Sequence, residues 1–175
     1  MSQIKVDSIV PRGGLASGSS GGIIQVRSVT KTDTFQTTSS SFTDITGLSV
    51  SITPQSSSNK ILILVHLTGD GRSTQARANF RLMRGSTAIC IGDAAGNRPR
   101  STFGIYRPND DHTPGNASLT FLDSPATTSS LTYKMQTENG NATGDNVSVN
   151  RAYSWSNNQA HPATTSTITV MEVSG

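Results

Sequence analysis

The chain has 175 residues, of which 33% are hydrophobic and only 14% are charged, with a net charge of +3. This length allows one domain with a real core, or one domain with an appendage. The low charge argues against ordinary disorder, and the positive residues are spread along the chain, which argues against nucleic acid as a partner. The abundance of Ser, Thr and Gly favours β-structure, since Thr packs well on a pleated surface.

Cysteine usage and hydropathy limit the compartment. Cys90 is the only cysteine, so no intrachain disulfide can form, and its apolar neighbours predict a small buried side chain. No stretch is long and apolar enough for a signal core or a membrane span. We therefore expect assembly in a reducing cytoplasm and no membrane insertion.

The chain divides at residue 22. Residues 1–22 end in a Gly- and Ser-rich run that predicts a flexible hinge, and residues 23–175 predict a compact body. Before the hinge, apolar residues alternate weakly with polar ones. This segment is either a disordered terminus or an arm that adds a strand to a sheet edge of a neighbouring protein. In the second interpretation the attachment residues are Ile4, Val6, Ile9 and Val10.

The body is a succession of short strands separated by turns. Residues 48–52 and 166–173 alternate between apolar and polar with period two, which is typical of half-buried strands. Residues 60–67 form the most apolar run and predict a central strand buried on both faces. Gly85 marks the turn of a hairpin. The pattern predicts eight to ten strands and no helix, so we expect an all-β, jelly-roll-like antiparallel β-sandwich.

The ionisable residues form no catalytic pattern. His66, His112 and His161 do not have metal-ligand spacing, and the chain lacks a nucleophile elbow or a phosphate-binding loop. Asp110, Asp111 and His112 form one local cluster in a Pro- and Gly-punctuated loop, which is more typical of a solvated loop than of a metal site. We expect no enzyme activity, no cofactor and no metal.

Exposed loops are the better candidates for function. The loop at 153–159 holds the only tryptophan, and an aromatic residue on a rigid β scaffold can stack on a sugar ring or anchor a protein contact. A tryptophan that plugs one end of the sandwich fits the sequence equally well. The candidate residues for contact with a receptor or glycan are Arg107, Asp110, Asp111, His112, Tyr153 and Trp155.

Three arginines are candidates for an oligomer interface. Arg81 and Arg84 lie inside one predicted strand, and Arg151 follows another. In a monomer these side chains would point to water. In a symmetric oligomer they could line a shared interface, paired with Asp93 or Glu172.

Sequence segments along nearly the whole chain resemble, in a fixed order, a module of tailed-bacteriophage fibre and virion proteins. Residues 1–14 are similar to the attachment arms that precede such modules. The matching segments of the body are residues 21–35, 42–54, 60–65, 80–89, 92–96, 121–128, 132–134 and 166–173.

The resemblance implies a virion structural protein from a phage that infects an aquatic bacterium. It also implies a jelly-roll-like and trimeric body. It supplies no catalytic residue. It leaves open a tail-fibre or tip protein that displays its body for host adhesion, or a capsid decoration (head-fibre, cement) protein. A stand-alone carbohydrate-binding module without a viral context is a third hypothesis. In the first two the protein assembles in the host cytoplasm, and its partners are two further copies of itself, other virion proteins and a host-surface glycan.

Overall fold

The computed structural model describes residues 22–71, 77–106, 112–140 and 145–175. The predicted attachment residues Ile4, Val6, Ile9 and Val10, and the loop residues Arg107, Asp110 and Asp111, lie outside these ranges. The described part consists of β-strands joined by turns and loops, without a helix. The strands are β1 (Ile23–Lys31), β2 (Phe35–Thr37), β3 (Thr43–Ile52), β4 (Lys60–Gly71), β5 (Ala78–Arg84), β6 (Thr87–Ile89), β7 (Phe103–Ile105), β8 (Gly115–Asp123), β9 (Leu131–Asn139), β10 (Val147–Val149) and β11 (Ser166–Val173).

The strands form two antiparallel sheets. Sheet A has the order β1-β11-β4-β10-β2, with β8 also paired to β4, and sheet B has the order β3-β9-β5-β6, with β7 also paired to β5. β10 and β11 pair with successive parts of β4, and β6 and β7 pair with successive parts of β5. In the same way, β1 pairs with β11 and β2 pairs with β10.

Three strand positions are therefore each divided into two segments, which are β1 with β2, β6 with β7, and β10 with β11. The eleven described segments thus occupy eight strand positions, four in each sheet. Their order, with the first, last, fourth and eighth segments together in sheet A, is that of a jelly roll. The predicted all-β, jelly-roll-like sandwich is confirmed. The sequence analysis expected eight to ten strands because an interruption of a few residues leaves little trace in an alternating pattern.

Alternation places the core between the sheets. In β3 the buried side chains are Leu48, Val50 and Ile52, as the period-two pattern predicted, and the serines between them are exposed. Phe80 from β5 and Tyr133 from β9 fill the centre of the core and are fully buried. Each fully buried large apolar side chain contributes about 1.5–3 kcal/mol relative to leaving it exposed.

β4 is the central strand that its apolar run predicted, but the prediction that both of its faces are buried is wrong. Ile61, Ile63 and Val65 point into the core, whereas Leu62 and Leu64 on the outer face are only half-buried. No described element lies over this part of sheet A. The apolar run therefore reflects an inner face that packs and an outer face that is left open.

A buried polar cluster joins the two sheets. Asp123, at the end of β8 in sheet A, accepts two hydrogen bonds from the Arg84 guanidinium at 2.8 and 2.9 Å. The hydroxyl of Tyr133, from sheet B, donates to the same carboxylate at 2.6 Å. Two effects raise the pKa of Tyr133 far above its ordinary value. Burial is the larger, and the hydrogen bond to Asp123 is the second. The cluster links β8 of sheet A to β5 and β9 of sheet B, a contact that the alternating sequence pattern does not predict.

Glu172 is a second buried carboxylate of sheet A. It lies on the inner face of β11, in phase with Ile168 and Val170, and is fully buried. The amides of Gln25 and Asn59 and the backbone N–H of Gln55 donate to its two oxygens, each at 2.6 Å. Burial acts to raise the pKa of Glu172, but these hydrogen bonds outweigh it and hold the pKa below the ordinary value.

Candidate functional site

A loop of residues 151–164 leaves sheet A between β10 and β11. Asn150 fixes the point of departure with a left-handed backbone (φ 60°), which Asn tolerates better than most residues. Its side-chain nitrogen donates to the carbonyls of Lys31 and Asp33, both at 2.9 Å, and its oxygen accepts from the Ser166 hydroxyl at 2.6 Å. One side chain therefore holds the two ends of the loop and the neighbouring interruption between β1 and β2.

The loop covers one end of the outer face of sheet A. Thr68 and Asp70 alternate with Gly69 and Gly71 along β4, so they point outward, yet both are buried. Asp70 accepts a hydrogen bond from the backbone N–H of Tyr153 at 3.0 Å, and Thr68 donates to the carbonyl of Thr165 at 3.2 Å. The covered end gives the loop a fixed base, as a recognition loop requires.

An open hollow of about 480 Å³ lies on the surface of this loop. This volume is in the usual range for small-molecule sites. The wall combines one aromatic ring, one imidazole and several uncharged polar groups. The lining residues are Trp155, Ser156, Asn157, Asn158, His161 and Ala163.

Trp155 supplies the apolar surface of the hollow. Its side chain is 38% exposed, so the ring is neither a plug that is sealed into the sandwich nor fully in solvent. The Arg151 guanidinium lies 5.4 Å from the Trp155 ring centre and donates to Gln36 at 2.8 Å. Such a cation–π contact, together with the hydrogen bond, orients the indole and leaves part of it available to a ligand.

His161 lines the hollow, and His112 lies against His161. The His112 Nδ1 and His161 Nε2 atoms are 2.8 Å apart, and the two rings are within 8° of parallel with centres 5.0 Å apart. Because the short N···N distance spans most of the separation between ring centres, the rings meet edge to edge in one plane, as in an N–H···N hydrogen bond. They do not overlap face to face.

The protonation state of the pair follows from its partners. The Nδ1 atom of His161 accepts from the Ser156 backbone N–H at 2.9 Å, so it carries no proton. The proton of neutral His161 is then on Nε2, and it is donated to His112 Nδ1. Both ring nitrogens of His161 therefore have hydrogen-bond partners within the chain.

The composition of the hollow suits an uncharged polar ligand. None of its six lining side chains has a fixed charge, and the amides of Asn157 and Asn158 and the hydroxyl of Ser156 provide both donors and acceptors. A partly exposed indole beside such groups suits a molecule with one apolar face and many hydroxyls.

The fold brings some of the predicted site residues together and separates others. Tyr153, Trp155 and His112 lie in or beside the loop, and Arg151 supports Trp155. His161 belongs to the same site, and the sequence analysis did not select it. No local signal could have done so, because its partner His112 is 49 residues away in the chain.

The two arginines of β5 lie elsewhere. Arg84 is paired within the chain to Asp123 and not to Asp93 or Glu172. Arg81 is on the outer face of sheet B, where it donates to Gln136 and lies 4.0 Å from the centre of the Phe42 ring. Their role in an oligomer interface remains a prediction.

Metal and membrane features can be stated for the residues that the structure describes. In those ranges, no group of three or more His, Cys, Asp or Glu side chains is arranged to hold a metal ion. The same ranges contain no helix that is long and apolar enough to cross a membrane.

The chain was compared with known proteins. No protein-family model matches it. A comparison with curated proteins also finds no match. The resemblance to phage fibre modules therefore stays a prediction.

Proposed function

We propose that the protein is a structural protein of a phage virion and that it serves as a tail-fibre or tip protein. In this proposal residues 1–22 attach to the particle and end in the hinge. Residues 23–175 form the jelly-roll body of a homotrimer that adheres to the host surface. The support is the division of the sequence into a short arm, a Gly- and Ser-rich hinge and a β-sandwich, together with the resemblance of its segments.

The observation that carries the adhesive role is the hollow beside Trp155. Glycans present apolar ring faces and rims of hydroxyl groups, and the hollow offers an indole beside amide and hydroxyl groups. The absence of fixed charge among its lining side chains favours a neutral oligosaccharide over an acidic one. Adhesion through many weak sites of this kind is effective when a particle displays several copies, because binding is then multivalent.

The test is binding of the full chain to an array of neutral bacterial oligosaccharides. We expect Trp155→Ala to weaken binding about tenfold, since an aromatic stacking contact is worth about 0.5–1.5 kcal/mol beyond the area it buries and about 1.4 kcal/mol is a factor of ten. Trp155→Phe should retain part of the affinity. Tyr106→Ala is the matched control, because Tyr106 is another partly exposed aromatic residue that stacks against an arginine, Arg77.

Two results would contradict the adhesive role. One is a folded wild-type protein that binds no oligosaccharide on the array. The other is equal loss of binding in the Trp155 and Tyr106 variants, which would point to a general effect of removing an aromatic side chain.

Attachment is tested separately. A chain that lacks residues 1–10 should remain folded and self-associated but should no longer be incorporated into particles. Normal incorporation of this truncated chain would refute the role of the arm.

A capsid decoration protein is the second candidate, and locating the protein on the particle by electron microscopy separates the two. A decoration protein would bury its body against the shell, whereas a fibre would touch the particle only through its arm. The exposed apolar side chains Val26 and Leu122 on sheet A are the feature that favours a body that packs against something.

A further inference from the structure

The outer face of sheet A contains a continuous surface without formal charge. Strand pairing places its side chains in three rows that each cross β1, β11, β4 and β8. The first row is apolar, and the other two combine Ser and Thr with one leucine and one histidine. We call this surface the uncharged face; its rows are Val26-Met171-Leu62-Leu122, Ser28-Thr169-Leu64-Thr120 and Thr30-Thr167-His66-Ser118.

These side chains are open to solvent. Val26 and Leu122, at the two ends of the first row, are 46% and 47% exposed, and Met171 and Leu62 between them are half-buried. Among the described residues, the loop of residues 151–164 covers only the far end of the sheet, beyond the third row. Large apolar side chains on adjacent strands are typical of a sheet face that packs against another surface.

We propose that a second copy of this chain packs on the uncharged face, so that this face forms the contact between protomers. The inference rests on the self-association that is part of the proposed function, and it assigns the surface responsible.

The first argument is charge. The chain has a net charge of +3, so two copies repel wherever their basic residues meet. The three rows contain no Asp, Glu, Lys or Arg, and Lys60 lies just past the first row at the end of β4. Like charges placed opposite each other across an interface cost several kcal/mol. A face without them is where two identical positive molecules approach with the least repulsion.

The second argument is self-complementarity. A contact between copies must satisfy the hydrogen-bonding groups of a surface with groups from the same chain. Ser and Thr hydroxyls both donate and accept, and Ser28 and Thr169 already form such a pair at 2.8 Å. In a trimer the same face of all three protomers can turn towards the threefold axis, where rows of hydroxyls beside a row of Val, Met and Leu meet rows of the same composition.

The third argument is area. Four strands about 4.8 Å apart and three rows along the strands cover roughly 400 Å² in projection. This is about half of the roughly 800 Å² that each partner buries in a standard interface. Ile23 and Ile24, 60% and 38% exposed, continue the apolar surface past the first row on β1, and Lys60 on β4 bounds this extension. The face is thus large enough to form the centre of an interface between protomers.

The experiment compares two double variants of the full chain by sedimentation velocity over a hundredfold range of concentration. Val26→Lys with Leu122→Lys adds two charges at the ends of the apolar row. Ser49→Lys with Ser51→Lys adds the same charge to exposed positions of β3 on the outer face of sheet B. We expect the wild type and the sheet B variant to associate, and the sheet A variant to dissociate with a dissociation constant raised at least 100-fold.

Oxidation of Met171 by peroxide gives a second readout that needs no substitution. Met171 is half-buried in the single chain, so its oxidation should slow as the concentration rises and copies cover it, whereas that of the fully buried Met135 should not change.

Three outcomes would overturn the inference. If both double variants associate like the wild type, copies meet through another surface, although self-association itself stands. If the wild type is monomeric throughout, self-association fails as well. If Met171 is already protected in dilute monomer, a segment of the same chain covers the face. Oligosaccharide binding by the sheet A variant, measured in parallel, keeps the adhesive role separate from each of these outcomes.

Discussion

The two sheets place their charged groups on opposite sides. Sheet B carries them on its outer face, where Lys134 and Gln136 of β9 donate to Asp44 of β3 at 2.6 and 2.7 Å. Sheet A buries its carboxylates: Asp123 and Glu172 point into the sandwich, and Asp70 lies beneath the loop. The remaining outer face of sheet A is the uncharged face.

The exposed and the buried carboxylates of this domain contribute differently to its stability. A carboxylate at the surface gains little from a partner, because water solvates it well. A buried carboxylate must be satisfied by hydrogen bonds, and removing it leaves buried donors without acceptors. Sheet A therefore uses the buried Asp123 and Glu172 to hold the fold together, whereas sheet B keeps the Asp44–Lys134 pair at its surface and buries one carboxylate, Glu138. Substitutions at Asp123, Glu172 and Asp44, with controls at other residues, test this contrast.

Asp123→Ala should have the largest effect. It leaves the Arg84 guanidinium and the Tyr133 hydroxyl without their shared acceptor between the sheets. The cost should be about 3 kcal/mol, at the low end of the range for buried ion pairs, because the Arg84 side chain is 28% exposed. We expect that loss in the free energy of unfolding, measured by urea denaturation. Tyr133→Phe, which removes one donor and keeps the ion pair, should cost about 1 kcal/mol.

Asp93→Ala is the matched control, because Asp93 is an exposed carboxylate in the connection between β6 and β7. It should leave the stability unchanged within about 0.5 kcal/mol. Equal stabilities of the Asp93 and Asp123 variants would mean that the link between the sheets is not structural.

Glu172→Gln should have an intermediate effect of about 2 kcal/mol, because an amide offers only one oxygen to three donors. Its pH dependence has a definite sign. The pKa of Glu172 is lowered in the folded state, so its stabilisation is present above the unfolded pKa and is lost as the pH falls through the folded pKa. The variant should therefore lose less stability than the wild type on acidification from about pH 6 to 3.

Glu138 of sheet B provides a control of the opposite sign. Burial raises the pKa of Glu138, so this group favours the folded state at low pH and disfavours it as the pH rises through the window between its unfolded and folded pKa values. Glu138→Gln should make the acid loss of stability steeper. Parallel pH profiles of the Glu172 and Glu138 variants would contradict the opposite pKa shifts of these two buried carboxylates.

Part of this arrangement could be predicted from sequence. Alternation identified β3 and β11, the apolar run identified β4 as central, and Gly85, with its positive φ of 58°, marked the hairpin between β5 and β6. The same alternation also predicts that one of the carboxylates is buried. Glu172 follows Ile168 and Val170 in phase, and a carboxylate in phase with the apolar face of a strand is predicted to point inward.

The rest depends on contacts between distant segments. Asn59 is 113 residues from Glu172 and Arg84 is 39 residues from Asp123, so no local pattern could name these partners. The short strands β2 and β7 have three residues each and too few positions to show a period. In the loop of residues 151–164, the sequence indicated Trp155 but not the pairing of His161 with His112, because only the fold brings the two histidines together.

Asp44→Ala should have the smallest effect. Asp44 is exposed, and the hydrogen bond from Lys134 is the main cause of its lowered pKa. Ion pairs at such positions contribute about 0.2–1 kcal/mol. We expect a loss of about 0.5 kcal/mol in the free energy of unfolding at low salt, measured by urea denaturation beside the Asp123 variant.

Salt identifies the origin of this small loss. At about 1 M NaCl the screening length is about 3 Å, and an exposed pair is screened far more than a buried one. The difference between Asp44→Ala and the wild type should therefore shrink towards zero, whereas the loss caused by Asp123→Ala should persist. If Asp44→Ala instead costs as much as Asp123→Ala and does so at high salt, the charges on the outer face of sheet B are structural too. In that case the two sheets would not differ in how they use charge, and the absence of charge from the uncharged face would no longer set that face apart as the contact between copies.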